Sequence, residues 1–144
     1  MNTFEVSTFI NRTPQVVFDF MSNPANVSKW QSGASEGKLA SEGPVGVGSI
    51  FHSVNHMLGR SMEIDAEVTK WTPPSVWGLK GSSGSMKFEN TNKLDAKDGG
   101  TLLTQIYQGE VGGFFKMAEG LAVKQMQKQV ESDCQTLKKL LEAM

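Results

Sequence analysis

One cysteine, Cys134, stands alone among 144 residues, so the chain can form neither an internal disulfide nor a cysteine-based zinc site. Without a secretory route, the sequons Asn11-Arg12-Thr13 and Asn26-Val27-Ser28 carry no glycan. Charge of one sign is also lacking: 14 Lys+Arg face 15 Asp+Glu, a formal net charge of −1. Nucleic acid and anionic membranes are held by clustered cations, so neither is an expected partner. No apolar run approaches the roughly 20 residues that span a bilayer. Met1 to Ile10 has neither the basic start nor the apolar centre of a signal peptide, and the expected compartment is therefore cytoplasmic. Histidine (two) and tyrosine (one) are scarce, which keeps the list of acid–base candidates short. There is no internal repeat, low-complexity segment or linker, so residues 1–144 are expected to form a single domain.

What is present divides into three stretches. Residues 3–10 alternate Phe4, Val6, Thr8 and Ile10 against Glu5, Ser7 and Phe9, the period of a strand with one buried face. Thr13-Pro14 supplies a capping hydroxyl followed by proline at the first helical position, predicting a helix from Pro14 to Met21. Ser22-Asn23-Pro24 ends it, and Pro24 opens a second short helical turn that leads to Trp30.

From Ser35 to Glu110 only strand and turn patterns appear. Strands are predicted over 49–57, 61–71, 76–80, 86–94 and 101–110, with Leu58-Gly59-Arg60 and Asp98-Gly99-Gly100 as tight turns. In the second of these, Met62, Ile64, Ala66 and Val68 alternate with Glu63, Asp65, Glu67 and Thr69, so one face is dry and the acidic row faces water. After Val111 the period becomes helical: Phe115, Ala118, Ala122, Met126, Val130, Cys134, Leu137 and Leu141 lie three or four apart. They form one apolar stripe on a helix of about 28 residues, roughly 40 Å long at 1.5 Å per residue. Such a helix can cross a whole sheet. The expected fold class is α+β, a helix-grip architecture: a curved antiparallel sheet of about seven strands wrapped around the long C-terminal helix, with two short helices between strands 1 and 2.

The opening segment Ile10-Asn11-Arg12-Thr13-Pro14-Gln15-Val16-Val17-Phe18-Asp19-Phe20-Met21-Ser22-Asn23-Pro24, continuing to Trp30, resembles that of the START-like helix-grip (Bet v 1-like, SRPBCC) superfamily, which includes plant pollen allergens and bacterial polyketide cyclase/dehydrase-like proteins. Supporting matches lie at Gly43-Pro44-Val45-Gly46-Val47-Gly48, Gly59-Arg60, Val68 to Trp71 with Pro73-Pro74, Gly100-Thr101-Leu102-Leu103-Thr104 and Leu137-Lys138-Lys139-Leu140-Leu141-Glu142. These residues are turns, caps and core positions, so they specify the fold rather than an activity. The resemblance implies a deep hydrophobic cavity between sheet and long helix that takes lipids, sterols, polyketides or quinones. Members act as carriers, as cyclases or dehydratases, or as co-chaperone modules.

For chemistry, His52 and His56 lie four apart on one strand, roughly 13 Å apart at 3.3 Å per residue, too far to ligate one metal. If their face points inward, either could act as general acid or base; if Phe51, Ser53, Asn55 and Met57 point inward, neither reaches a ligand. Tyr107, on a face with Leu103 and Gln105, could orient or protonate a ligand carbonyl, or simply pack its ring. Asn90 and Asn92 continue the face of Met86 and Phe88, which puts amides among apolar residues unless a bulge turns that end to solvent. Glu63, Asp65 and Glu67 read as a solvated row and Cys134 as a small core residue. No metal and no cofactor are implied.

Eight methionines add soft, adaptable walls. The expected function is non-covalent binding of a hydrophobic or amphipathic small molecule by Trp30, Met62, Ile64, Ala66, Val68, Met86, Phe88, Asn90, Leu103, Gln105, Tyr107, Phe115, Ala118, Ala122 and Met126. The alternatives are a metal-independent cyclase or dehydratase using His52, His56 or Tyr107, and a co-chaperone-type interaction module. Monomer and homodimer are both compatible with the sequence.

Overall fold

The computed structural model describes residues 2–57, 60–83, 86–111 and 119–144, with side chains except at 2, 57, 60, 83, 86, 110, 111 and 119–122. Strand β1 (Asn2–Ile10) leads through helix α1 (Pro14–Met21), a 3-10 turn (Pro24–Asn26) and helix α2 (Val27–Trp30) into six further strands and a long helix. The strands are β2 (Ala34–Leu39), β3 (Ile50–Met57), β4 (Arg60–Thr72), β5 (Val76–Ser83), β6 (Met86–Lys97) and β7 (Gly100–Val111), followed by α3 (Glu119–Glu142). All seven form one antiparallel sheet in the order β1-β7-β6-β5-β4-β3-β2. The fold is the α+β helix-grip expected from the sequence, with two short helices between the first two strands. Among the described residues, no helix is long and apolar enough to cross a membrane.

Local chemistry accounts for the element boundaries. The Thr13 side chain accepts from the Val16 amide and Pro14 occupies the first turn of α1, while the Ser22 hydroxyl donates to the Phe18 carbonyl at 2.6 Å and closes the other end. Between β6 and β7, Asp98 and Gly99 both take positive φ (49° and 80°), the twist a two-residue hairpin needs. In β4 the register shifts between Val68 and Lys70. That one extra residue reverses the phase, so that Lys70 turns to solvent and Trp71 comes back to the covered face opposite Trp77.

The inner face of the sheet follows directly from the register. It carries Phe51, Ser53 and Asn55 on β3, opposite Ala66, Ile64 and Met62 on β4. Across β6 and β7 the same face pairs Asn90 with Tyr107, Asn92 with Gln105 and Leu94 with Leu103. Helix α3 lies on this face near β1, and α1 covers the far ends of β6 and β7. Ile10, Val17, Phe18, Leu94, Leu103, Leu137 and Leu141 fill the space between them almost without exposure.

A latch fixes this end. Arg12 donates from Nη2 to the carbonyls of Glu142 and Met144, each at 2.7 Å, and the Asn11 amide donates to Glu142 Oε2 at 2.9 Å. Lys138 Nζ reaches both the Phe9 carbonyl and Glu142 Oε2 at 2.7 Å. The Asn11 amide and, after it, Lys138 hold the Glu142 carboxyl below its ordinary pKa.

Candidate functional site

At the other end the inner face does not close. A cavity of about 140 Å³ lies between the sheet and residues 21–31, the segment that carries the end of α1, the 3-10 turn and α2. Met21, Val27 and Trp30 form its helical wall; Phe51, Ile64, Ala66, Trp77, Leu79 and Phe88 form its apolar floor. Gly37 permits the approach of that wall: a Cβ there would overlap the Pro24 carbonyl oxygen and the Val27 side chain. Among the described residues, no Asp, Glu, Lys or Arg lines the cavity.

The sequence reading placed the ligand against α3, and here the structure differs. None of the α3 residues with described side chains, Met126 included, lines the cavity, because Leu137 and Leu141 of that helix are already fully packed into the filled end. Val68 and Leu103 likewise belong to the solid core, at 0% exposure, and Met62 sits beyond the cavity rim. Trp30, Ile64, Ala66, Phe88, Asn90, Gln105 and Tyr107 do come together around it. Phe115 and Ala118, and the side chains of Met86 and Ala122, lie outside the described residues. The sequence reading did not name Phe51, Ser53, Asn55, Leu79 or Gly37 as site residues, nor the wall from Met21 to Val27.

The two histidines point away. His52 pairs across the strands with Asp65, and Phe51 with Ala66, so His52 shares the outer face with the acidic row. Its Nδ1 is 2.6 Å from Asp65 Oδ1 and its Nε2 3.7 Å from Glu63 Oε1. His52 borders the cavity through its place in the strand, with its ring committed to the other face. His56 is exposed, with Nδ1 2.9 Å from the Ser61 hydroxyl. Both rings are thus engaged with side chains of the neighbouring strand, His52 with Asp65 and His56 with Ser61. Among the described residues, no group of three His, Cys, Asp or Glu side chains could hold a metal ion.

The polar side chains of the interior instead form a chain of hydrogen bonds. Cys134 Sγ donates to Gln105 Oε1 at 2.7 Å; Gln105 Nε2 donates to Asn92 Oδ1 at 2.8 Å; Asn92 Nδ2 donates to Asn90 Oδ1 at 2.7 Å. The direction of the chain is set by backbone carbonyls, which can only accept. Asn92 Nδ2 also faces the Trp77 carbonyl and Asn90 Nδ2 the Ile106 carbonyl, both at 3.5 Å. Asn92 is 0% and Gln105 1% exposed, so these amides need each other. Burial, ahead of the charges of Cys134 and Asp133, raises the Tyr107 phenol above its ordinary pKa. Tyr107 therefore stays protonated, its ring stacked on Phe4 at 5.1 Å. Burial likewise pushes the Cys134 thiol up to about 11, against a hydrogen bond from Thr8 that lowers it.

Two buried donors stand outside this chain. Among the described residues, Trp30 Nε1 and Trp77 Nε1 find no hydrogen-bond partner, and both residues line the cavity. A buried N–H left unpaired costs about 1–3 kcal/mol.

A curved sheet closed by helices over a largely apolar cavity defines a helix-grip protein. The family described as polyketide cyclase/dehydrase and lipid transport matches residues 1–142, and the chain belongs to it. Its fold is similar to that of TTHA0849 from Thermus thermophilus, with a TM-score of 0.84 at 16% identity over 99% of this chain and 98% of that one. It is also similar to the Zhui aromatase/cyclase from Streptomyces sp. R1128, TM-score 0.78 at 9% identity over 98% and 93% of the two chains. Ara h 8.0201 gives a TM-score of 0.75 at 15% identity over 99% of each chain. No curated protein sequence matches the chain.

Proposed function

We propose that the protein binds a hydrophobic or amphipathic small molecule non-covalently in the cavity between the inner sheet face and residues 21–31. The observation that carries this reading is the lining itself: among the described residues, aromatic and aliphatic walls with a few polar groups and no Asp, Glu, Lys or Arg, the composition of a ligand site rather than of an unfinished core. Family membership supports the same class of function. A cyclase-type proton transfer would have to use Tyr107, the one sequence-predicted acid–base residue whose side chain faces the cavity. Its raised pKa suits a donor of hydrogen bonds better than a base.

The test is native mass spectrometry of protein purified from cells without added ligand, followed by displacement of any bound mass with a hydrophobic dye. A retained or exchangeable small molecule, lost in an Ala66→Trp variant that fills the floor, is the expected result. A protein that carries no ligand and takes up no hydrophobic probe overturns the reading.

A further inference from the structure

We infer that the site selects a neutral ligand, or a neutral ligand headgroup of about one ring, that presents hydrogen-bond acceptors such as carbonyl oxygens to Trp30, Trp77 and Asn90. This inference rests on the binding function proposed above and adds the chemistry that the site discriminates.

Three observations lead to it. The indole N–H groups of Trp30 and Trp77 are buried donors with no partner among the described residues, on residues 3% and 5% exposed. They come from different elements of the cavity wall, Trp30 from the end of α2 and Trp77 from β5, and an acceptor on a bound molecule would relieve the cost of either unpaired N–H. Indole can only donate.

The amide chain adds a third donor. Asn90 Oδ1 already accepts from Asn92 Nδ2 at 2.7 Å, while its own Nδ2 has only the distant Ile106 carbonyl at 3.5 Å, so Asn90 has an N–H to offer. The chain behind it runs in the same sense to the Cys134 thiol, whose S–H donates to Gln105 Oε1. Cys134 is thus a positioning residue: it lies outside the cavity lining yet holds the orientation of the amides that end there. Ser53 Oγ, on the same inner face, accepts from Asn55 Nδ2 at 2.9 Å.

Charge and size narrow the class further. With no Asp, Glu, Lys or Arg among the described lining residues, a carboxylate or phosphate would lose its water without gaining a lysine or arginine countercharge there. A fatty-acid headgroup is therefore disfavoured. The volume of about 140 Å³ is close to that of an engineered cavity of about 150 Å³ that takes benzene, which sets the scale at a single ring.

The experiment compares three probes of that size by NMR titration of ¹⁵N-labelled protein: acetophenone, its hydrocarbon isostere α-methylstyrene, and benzoate. Trp30→Phe and Trp77→Phe assign the indole signals, and Trp71, which does not line the cavity, is the internal reference. Acetophenone is expected to bind at least tenfold more tightly than α-methylstyrene and to move the Trp30 or Trp77 indole proton downfield, with benzoate weakest. Equal binding of ketone and hydrocarbon without indole shifts overturns the donor inference while leaving the cavity function standing. Tightest binding by benzoate overturns neutrality, and failure of all three overturns both readings. Cys134→Ser, which keeps a donor to Gln105, should preserve the ketone preference. Cys134→Val should lower it toward the hydrocarbon's level without weakening α-methylstyrene; if Cys134→Val retains the full preference, Cys134 has no positioning role.

Discussion

Along β6 and β7, Leu94 pairs with Leu103 at one end of the sheet and Asn90 with Tyr107 at the other, on the same face and four residues away. At the first end Ile10, Val17, Phe18, Leu137 and Leu141 close over the strands at 0–1% exposure, and the Arg12 and Lys138 latch ties the helix end to β1. At the second, the end of α1, the 3-10 turn and α2 form the described wall over the sheet, and a space of about 140 Å³ remains. The backbone is equally regular in both. What differs is whether the inner residues are apolar and shape-matched or are amides that bond sideways to one another, which props the walls apart. Stability and binding are thus separated along the same two strands.

The largest expected effect tests that separation directly. Leu137→Ala should cost about 4 kcal/mol, since it empties a site at 0% exposure that neighbours in regular elements cannot collapse to fill. Ile64→Ala, an equivalent truncation on the cavity floor, should cost only about 1 kcal/mol, because its side chain is half-buried and borders existing space. Denaturant unfolding of both variants provides the check. Equal losses would mean that the two ends are packed alike.

Next in size is a pH effect at Cys134, where the two regions meet. The folded thiol has its pKa pushed up to about 11 from an ordinary 9.0, so the folded state keeps a proton that the unfolded chain gives up. The associated stability is fully present below pH 9 and is lost as pH rises toward 11, in all about 3 kcal/mol. Cys134→Ser should remove this dependence. Unfolding free energies measured between pH 8 and 11 for both proteins decide it: identical slopes would show that the thiol does not titrate differently in the folded state.

Much of the filled end could be read from the sequence because its signals are local. Thr13-Pro14 marked the start of α1, Asp98-Gly99 the hairpin, and Leu137 and Leu141 the helical stripe. The hollow end depended on long-range pairing. In β3 each face mixes polar and apolar residues, Ile50, His52 and Val54 on one and Phe51, Ser53 and Asn55 on the other, so alternation alone could not choose between them. The choice comes from β4, whose alternation is unambiguous: with Met57 opposite Arg60, Phe51 falls opposite Ala66 and His52 opposite Asp65. Counting back from a two-residue turn at 58–59 would have given this register. Strand β2 offered less, since Ser35, Glu36 and Lys38 leave no apolar period. The helical wall had no sequence signal, because it depends on Gly37 meeting the 3-10 turn across the chain.

That meeting supplies a small stability effect and the sharpest functional one. Gly37 faces inward opposite Ser53, and a methyl group there would overlap the Pro24 carbonyl oxygen and the Val27 side chain. Val27 can rotate, but a backbone carbonyl cannot move without the 3-10 turn moving with it. Gly37→Ala should therefore lift residues 24–27 from β2 at a cost of about 1–2 kcal/mol, the usual range for overpacking. The filled end, tied through Arg12, Lys138 and α3, should keep its protection. Because Val27 and Trp30 are the cavity's helical wall, affinity for a hydrophobic probe should fall tenfold or more. Hydrogen exchange and probe titration on the same variant measure both. A loss of protection spread evenly through β1, α1 and α3 would show that the two ends form one cooperative unit; unchanged probe binding would show that the wall contributes nothing to the site.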